Sequence, residues 1–135
     1  MRGGSQHLLR AEAGPELLDP VHDLLIRLWA DEPEVPAASR VRFETAVAEI
    51  AANIAEHGAG AGARQVTLEL SSAADGLQAV FEDDGDPALL PPEDVFLPPD
   101  DAERGRGLAM ARAAVDSLRY RRDGGTNQWV LRLRV

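Results

Sequence analysis

Apolar residues recur along this chain with two periods. Phe43, Val47, Ile50 and Ile54 return at helical spacing within Phe43 to Gly58, forming one apolar stripe. Gly58 is placed to end that helix as a left-handed cap, and its start is expected near Ser39. Val21, Leu24, Leu25 and Leu28 mark an earlier helix, with Asp19 as side-chain cap and Pro20 at the first helical position. Leu108, Ala111, Val115 and Leu118 mark a third, opening at Gly107. Elsewhere the period is two. Val66, Leu68 and Leu70 alternate with Gln65, Thr67, Glu69 and Ser71. Leu77, Ala79 and Phe81 share one face of the next strand, and Ala74-Asp75-Gly76 joins the two as a hairpin. Leu118 to Arg122 reads as a strand, Asp123-Gly124-Gly125 as a turn, and Asn127 to Val135 as a closing strand. Leu8 to Glu12 is a weaker strand candidate.

The order is strand, helix, helix, two strands, helix, two strands. It predicts an α+β fold: a two-layer sandwich with helices on one face of a mixed, mainly antiparallel sheet. Residues 1–7 are expected to be disordered and 8–135 to form a single domain. Gly58 to Gly62 reads as a glycine-alanine loop. From Gly85 to Gly107 the pattern collapses into prolines and acids. A stretch this long in a small domain is usually a functional lid or disordered.

The length of 135 residues suits one domain with its own core. No apolar run could cross a bilayer, and the N-terminus has no signal-peptide core. With no cysteine there is neither a disulfide framework nor a thiolate metal site. These features lead to the expectation of a cytoplasmic protein off the membrane. The net charge of −9 argues against direct nucleic-acid binding. Every cation is arginine, so the lysine that a P-loop needs is missing.

Three short stretches carry candidate chemistry. On the central helix Glu49, Asn53 and His57 lie four residues apart, so an acid, an amide and an imidazole share one ridge. Such a ridge is a solvated flank or the wall of a site. Asp83 ends a strand on the same face as Phe81, and an inward carboxylate is costly unless something donates to it. The exocyclic amine of a purine is one such donor, and Gly85 would let the backbone approach a ring. A plain acidic turn is the alternative. Glu103-Arg104-Gly105-Arg106-Gly107-Leu108 precedes a helix, where free N–H groups and added arginine charge suit phosphate. A flexible hinge is the alternative there.

Together and in this order, the three stretches resemble the N, G1 and G2 boxes of the gyrase, histidine-kinase and MutL-type ATPases. Glu49 and Asn53 match the first, Asp83 and Gly85 the second, and Gly105 to Leu108 the third, with residues 86–104 as the ATP lid. The short length and the ending at Asn53 to His57 resemble the bacterial anti-sigma-factor serine kinases. The resemblance covers about residues 8 to 135. Pro87 stands where the G1 box often has a second glycine.

This resemblance implies a set of roles. Asn53 would hold the Mg²⁺ that bridges the ATP phosphates, and Glu49 would act as general base on a protein hydroxyl. Asp83 would accept from the adenine amine, with Gly85 near the ring and Thr126 near the adenine end. Gly105 and Gly107, leading into Leu108, would offer backbone donors to phosphate, with Arg106 as a charge clamp. The expected function is an ATP-dependent serine/threonine kinase that is also an anti-sigma factor, with an anti-anti-sigma protein as substrate. A homodimer is expected, with the first strand and the apolar face of the first helix at the dimer or partner surface. The competing readings are a nucleotide-responsive regulator without transfer and an interaction domain without nucleotide. His57 fits a structural role at the helix end. His22-Asp23 is similar to a phosphoacceptor box, but its helix is too short for that use.

Overall fold

The computed structural model describes residues 4–58, 64–85 and 102–135, with backbone alone for 57–58 and 102–106. In chain order the elements are β1 (Gln6–Glu12), α1 (Leu18–Asp31), α2 (Ala37–Gly58), β2 (Gln65–Ala73), β3 (Gly76–Asp83), α3 (Ala102–Ala114), β4 (Ser117–Asp123) and β5 (Thr126–Arg134). The five strands form one sheet in the order β1-β2-β3-β5-β4. Every neighbouring pair is antiparallel. The expected two-layer α+β sandwich is the observed fold.

Strand alternation decides where the core lies. Val66, Leu68 and Leu70 of β2, Leu77, Ala79 and Phe81 of β3, and Trp129, Leu131 and Leu133 of β5 are all buried. The residues between them point to the other face, which no described element covers. On the inner face α1 packs on β1 and β2, α2 on β3 and β5, and α3 on β4 and on α2. Phe43, Val47 and Ile50 of α2 are fully buried, as the helical stripe requires.

The tight turns need glycine. Gly76 has φ +152°, and a Cβ there would sit 2.2 Å from the Leu133 carbonyl oxygen. Gly124 and Gly125 have φ of 57° and 83°, the left-handed pair that a two-residue hairpin turn favours.

The structure departs from the sequence expectations in several places. α1 starts at Leu18, and its N-cap position, Leu17, makes no side-chain cap bond, so Asp19 lies in the first turn and is not the cap. Leu17 is only 1% exposed, and burying it winds the chain into the helix early. β1 opens at Gln6, within the stretch expected to lack structure, and the Ser5 N–H donates to Ser72 Oγ at 3.1 Å. The apolar face of α1, expected at a partner surface, is spent inside the chain: Val21, Leu24, Leu25 and Leu28 are buried. β1 is an edge strand, and Leu8 on it is exposed. α3 begins at Ala102, well before Gly107. Gly58, the first residue of the expected glycine-alanine loop, is the last of α2; the rest of that loop (59–62) and most of the expected lid (86–101) lie outside the described residues.

Candidate nucleotide site

The ridge on α2 is held at a fixed depth by what lies beside it. Ile50, Ala51 and Ile54 are buried on the core side, which leaves Glu49 and Asn53 half-buried at its edge, one turn apart. The His57 side chain lies outside the described residues.

α3 runs against this ridge. A Cβ built on Gly107 would lie 2.7 Å from Glu49 Oε2. Only a residue without a side chain lets the α3 backbone come this close to the carboxylate. The structure therefore brings Glu49 and Gly107 together, whereas the sequence reading gave Gly107 the task of donating to phosphate. Gly107 is the sixth residue of α3 (Ala102–Ala114), beyond the four unpaired N–H groups of a helix start. Gly105 is the fourth, the position whose N–H closes the first turn in α1 and α2, where Val21 and Arg40 donate to the Leu17 and Pro36 carbonyls. Leu108 is buried and anchors α3 to the core. The Arg106 side chain lies outside the described residues.

A second group of polar residues gathers at one end of β3 and β5, the two strands beneath α2. Asp83 is 8% exposed, and the sheet register sets it opposite Asn127, which is 2% exposed. Asn127 Nδ2 donates to Asp83 Oδ1 at 3.0 Å, and the Gly85 N–H donates to the same oxygen at 2.9 Å. Two donors satisfy one oxygen of a buried carboxylate. Among the described residues no donor reaches Oδ2. A Cβ on Gly85 would come 2.9 Å from Asp83 Oδ1, so a side chain here would press on the oxygen that Asn127 and the Gly85 N–H hold.

The far side of Asn127 is held as well. Its Oδ1 accepts from the Tyr120 hydroxyl and, at 2.9 Å, from Arg122 Nη1. Arg122 Nη1 also donates to the Gly85 carbonyl at 2.9 Å. These two donors fix the amide orientation, so Nδ2 must face Asp83. Gln65 N–H to Asp84 Oδ1 at 3.0 Å ties the next residue to β2.

Thr126 was expected near the adenine end; the residue that the structure sets beside Asp83 is Asn127. Thr126 and Asn127 are successive residues of β5, so they point to opposite faces, and Asn127 shares the inner face with Trp129. The sequence did hold a signal. Asn127 is the polar residue that opens the Trp129, Leu131, Leu133 series, just as Asp83 closes the Leu77, Ala79, Phe81 series. Arg122 and Tyr120 left no such trace, because they reach Asn127 across a turn.

Among the described residues no three or more His, Asp or Glu side chains cluster as a metal cage. Asn53 and Glu49 offer one amide oxygen and one carboxylate, both hard donors. That set suits Mg²⁺, which commonly takes one or two protein oxygens and fills its octahedron with water and substrate phosphates.

A family model for the histidine kinase-like ATPase domain matches residues 11–134. No curated protein matches the chain significantly. Among solved structures, the chain is similar to a crystal structure of the RsbU and RsbW domains of Rv1364c from Mycobacterium tuberculosis. The TM-score is 0.63 at 21% identity, over 95% of this chain and 32% of that one. The likeness is one of fold, and this chain spans about a third of its neighbour's length.

Proposed function

Since this chain belongs to the histidine kinase-like ATPase domain family, we propose that it binds ATP and transfers the γ-phosphoryl group to a serine or threonine of a protein. The observation that carries this reading is Asp83: a buried carboxylate with Oδ1 held by Asn127 and Gly85, and Oδ2 without a donor among the described residues. An adenine 6-amino group would donate to that oxygen, whereas a 6-oxo group in the same place only accepts. Gly85 lets the ring approach, and the first turn of α3, which ends at Gly105, offers its free N–H groups to phosphate. Asn53 would hold Mg²⁺, which when bound supplies charge neutralisation along the phosphates.

Glu49 then has a defined task. Its carboxylate accepts the proton of the attacking hydroxyl while that oxygen bonds to the γ-phosphorus and ADP departs. A base so placed typically contributes about 10² to 10⁴-fold. Gly107 keeps the space beside Glu49 clear for it. Arg106 is a candidate charge clamp on the phosphates.

The anti-sigma role, with an anti-anti-sigma protein as phosphoryl acceptor and a sigma factor as the sequestered partner, is the finest part of the proposal. Two things support it: the sequence resemblance to that kinase group and the RsbW domain of the structural neighbour. A cytoplasmic location and a homodimer belong to the same reading.

Calorimetric titration with ATP, with and without Mg²⁺, on wild type and Asn53→Ala is the first test. Binding that needs both Mg²⁺ and Asn53 supports the site. No binding by folded wild-type protein refutes it. Glu49→Ala should then abolish transfer and spare ATP binding. Transfer that is already absent in wild type would make the protein a nucleotide-responsive regulator.

A further inference from the structure

The uncovered face of the sheet has a feature that nucleotide chemistry does not use. Five of the 14 basic residues lie on two neighbouring strands; Arg122 turns inward to Asn127, and the other four, Arg119 and Arg121 on β4 and Arg132 and Arg134 on β5, share the outer face. All four are exposed. They point away from the core, because Leu118 and Tyr120 of β4 and Leu131 and Leu133 of β5 take the inner positions. The register sets Arg119 opposite Val130 and Arg132 opposite Ser117, so Arg119 and Arg132 are diagonal neighbours. Diagonal side chains stand about 7–8 Å apart, and like charges so placed repel.

Few local acids offset this. Asp123 approaches Arg121 at 3.6 Å, but both are largely exposed. Asp116 Oδ2 accepts from the Arg134 backbone N–H at 2.6 Å, so it engages the main chain. Arg132 Nε donates to the neutral Gln78 side chain at 2.7 Å. An open groove of about 840 Å³ runs beside three of these arginines, bordered also by Gly76, Gln78 and Ser117 and by two acids, Asp75 and Asp116. A concentration of cations on one face of a chain of net charge −9 calls for an anion from outside.

We propose that the outer face of β4 and β5 docks an extended acidic segment of a partner protein. The spacing selects this occupant. Arg119 and Arg121, like Arg132 and Arg134, are two residues apart on one strand, about 6.6 Å at the rise of a β-strand. An extended peptide with carboxylates at alternate positions presents its charges with the same repeat. A nucleic-acid duplex is a poorer match. Its phosphates would extend past two strands onto Glu69 and Glu82, on the same outer face. The surface is independent of the nucleotide site. The groove lies at the Gly76 end of β3 and Asp83 at the other, about 23 Å away along the strand.

The probe is a fluorescein-labelled peptide of alternating serine and glutamate, followed by anisotropy at low and at moderate salt. Wild type should bind it saturably, more weakly as salt rises, and should ignore the same peptide with glutamine for glutamate. Each exposed ion pair accounts for about two- to fivefold, so Arg119→Gln/Arg132→Gln/Arg134→Gln together should weaken binding by about ten- to a hundredfold. ATP affinity of the triple variant should stay within twofold. Arg119→Glu, a single exposed change, is the second variant and should weaken binding on its own. Absence of saturable binding by wild type overturns the proposal and leaves these arginines as guards that keep edge strand β4 from pairing with other chains. Equal binding by the triple variant, or tighter binding of duplex DNA than of the peptide, overturns it as well.

Discussion

Replacing Asn127 with alanine tests whether Asp83 is an adenine acceptor or a structural carboxylate. The change removes the 3.0 Å bond to Asp83 Oδ1 and the acceptor that Arg122 and Tyr120 now use. Asp83 keeps the Gly85 N–H as a donor, so it is weakened and not abandoned. Losing one partner of a buried, charge-linked bond costs roughly 1–3 kcal/mol. For a domain of this size the melting temperature should fall by about 5–10 °C. Some of the loss should also reach the ligand. A carboxylate no longer held from one side has to be ordered when adenine binds, and about 1.4 kcal/mol of that cost is a tenfold rise in the ATP dissociation constant. The assay pairs thermal melting with calorimetric titration of ATP and of GTP. Thr126→Ala is the matched control, since Thr126 faces the other side of the sheet. The reasoning is refuted if Asn127→Ala melts lower yet binds ATP within twofold of wild type. It is equally refuted if Thr126→Ala weakens ATP as much.

Three further outcomes follow from the same geometry. Gly107→Ala should stabilise α3 by up to about 1 kcal/mol through helix propensity, yet push the Glu49 carboxylate aside by roughly 0.7 Å to reach ordinary contact; phosphoryl transfer should drop by up to about a hundredfold with ATP affinity kept, as steady-state kinetics beside calorimetry would show. Gly76→Ala meets the Leu133 carbonyl oxygen at 2.2 Å and a φ that alanine rarely adopts, so chemical denaturation should show a loss of several kcal/mol, whereas Gly14→Ala, with open space around it, should cost far less. Leu131→Ala empties a fully buried position on β5, between β3 and β4, and should cost about 2–5 kcal/mol by urea denaturation, with no change in which nucleotide is preferred.

Much of this protein was legible as sequence because its helices and strands each bury one face. A helical stripe through Phe43, Val47, Ile50 and Ile54 and the alternation in β2, β3 and β5 are local consequences of burial, and they fixed the element order and the two-layer fold. Asp83 was legible too, as a charge ending an apolar alternation, and so was the ridge of Glu49 and Asn53. What the sequence could not supply were relations across the chain. The carboxylate of Glu49 meets Gly107 because α2 and α3 pack together, and no local pattern says how closely. Asn127 reaches Asp83 because the register pairs β3 with β5, and one residue of slip would have turned Thr126 inward in its place. The apolar face of α1 looked available to a partner until the sheet took it. The arginines of β4 and β5 are scattered in sequence and become one surface only when antiparallel pairing sets them side by side. Periodicity reports which side of an element is buried; only packing and register decide which elements, and which side chains, meet there.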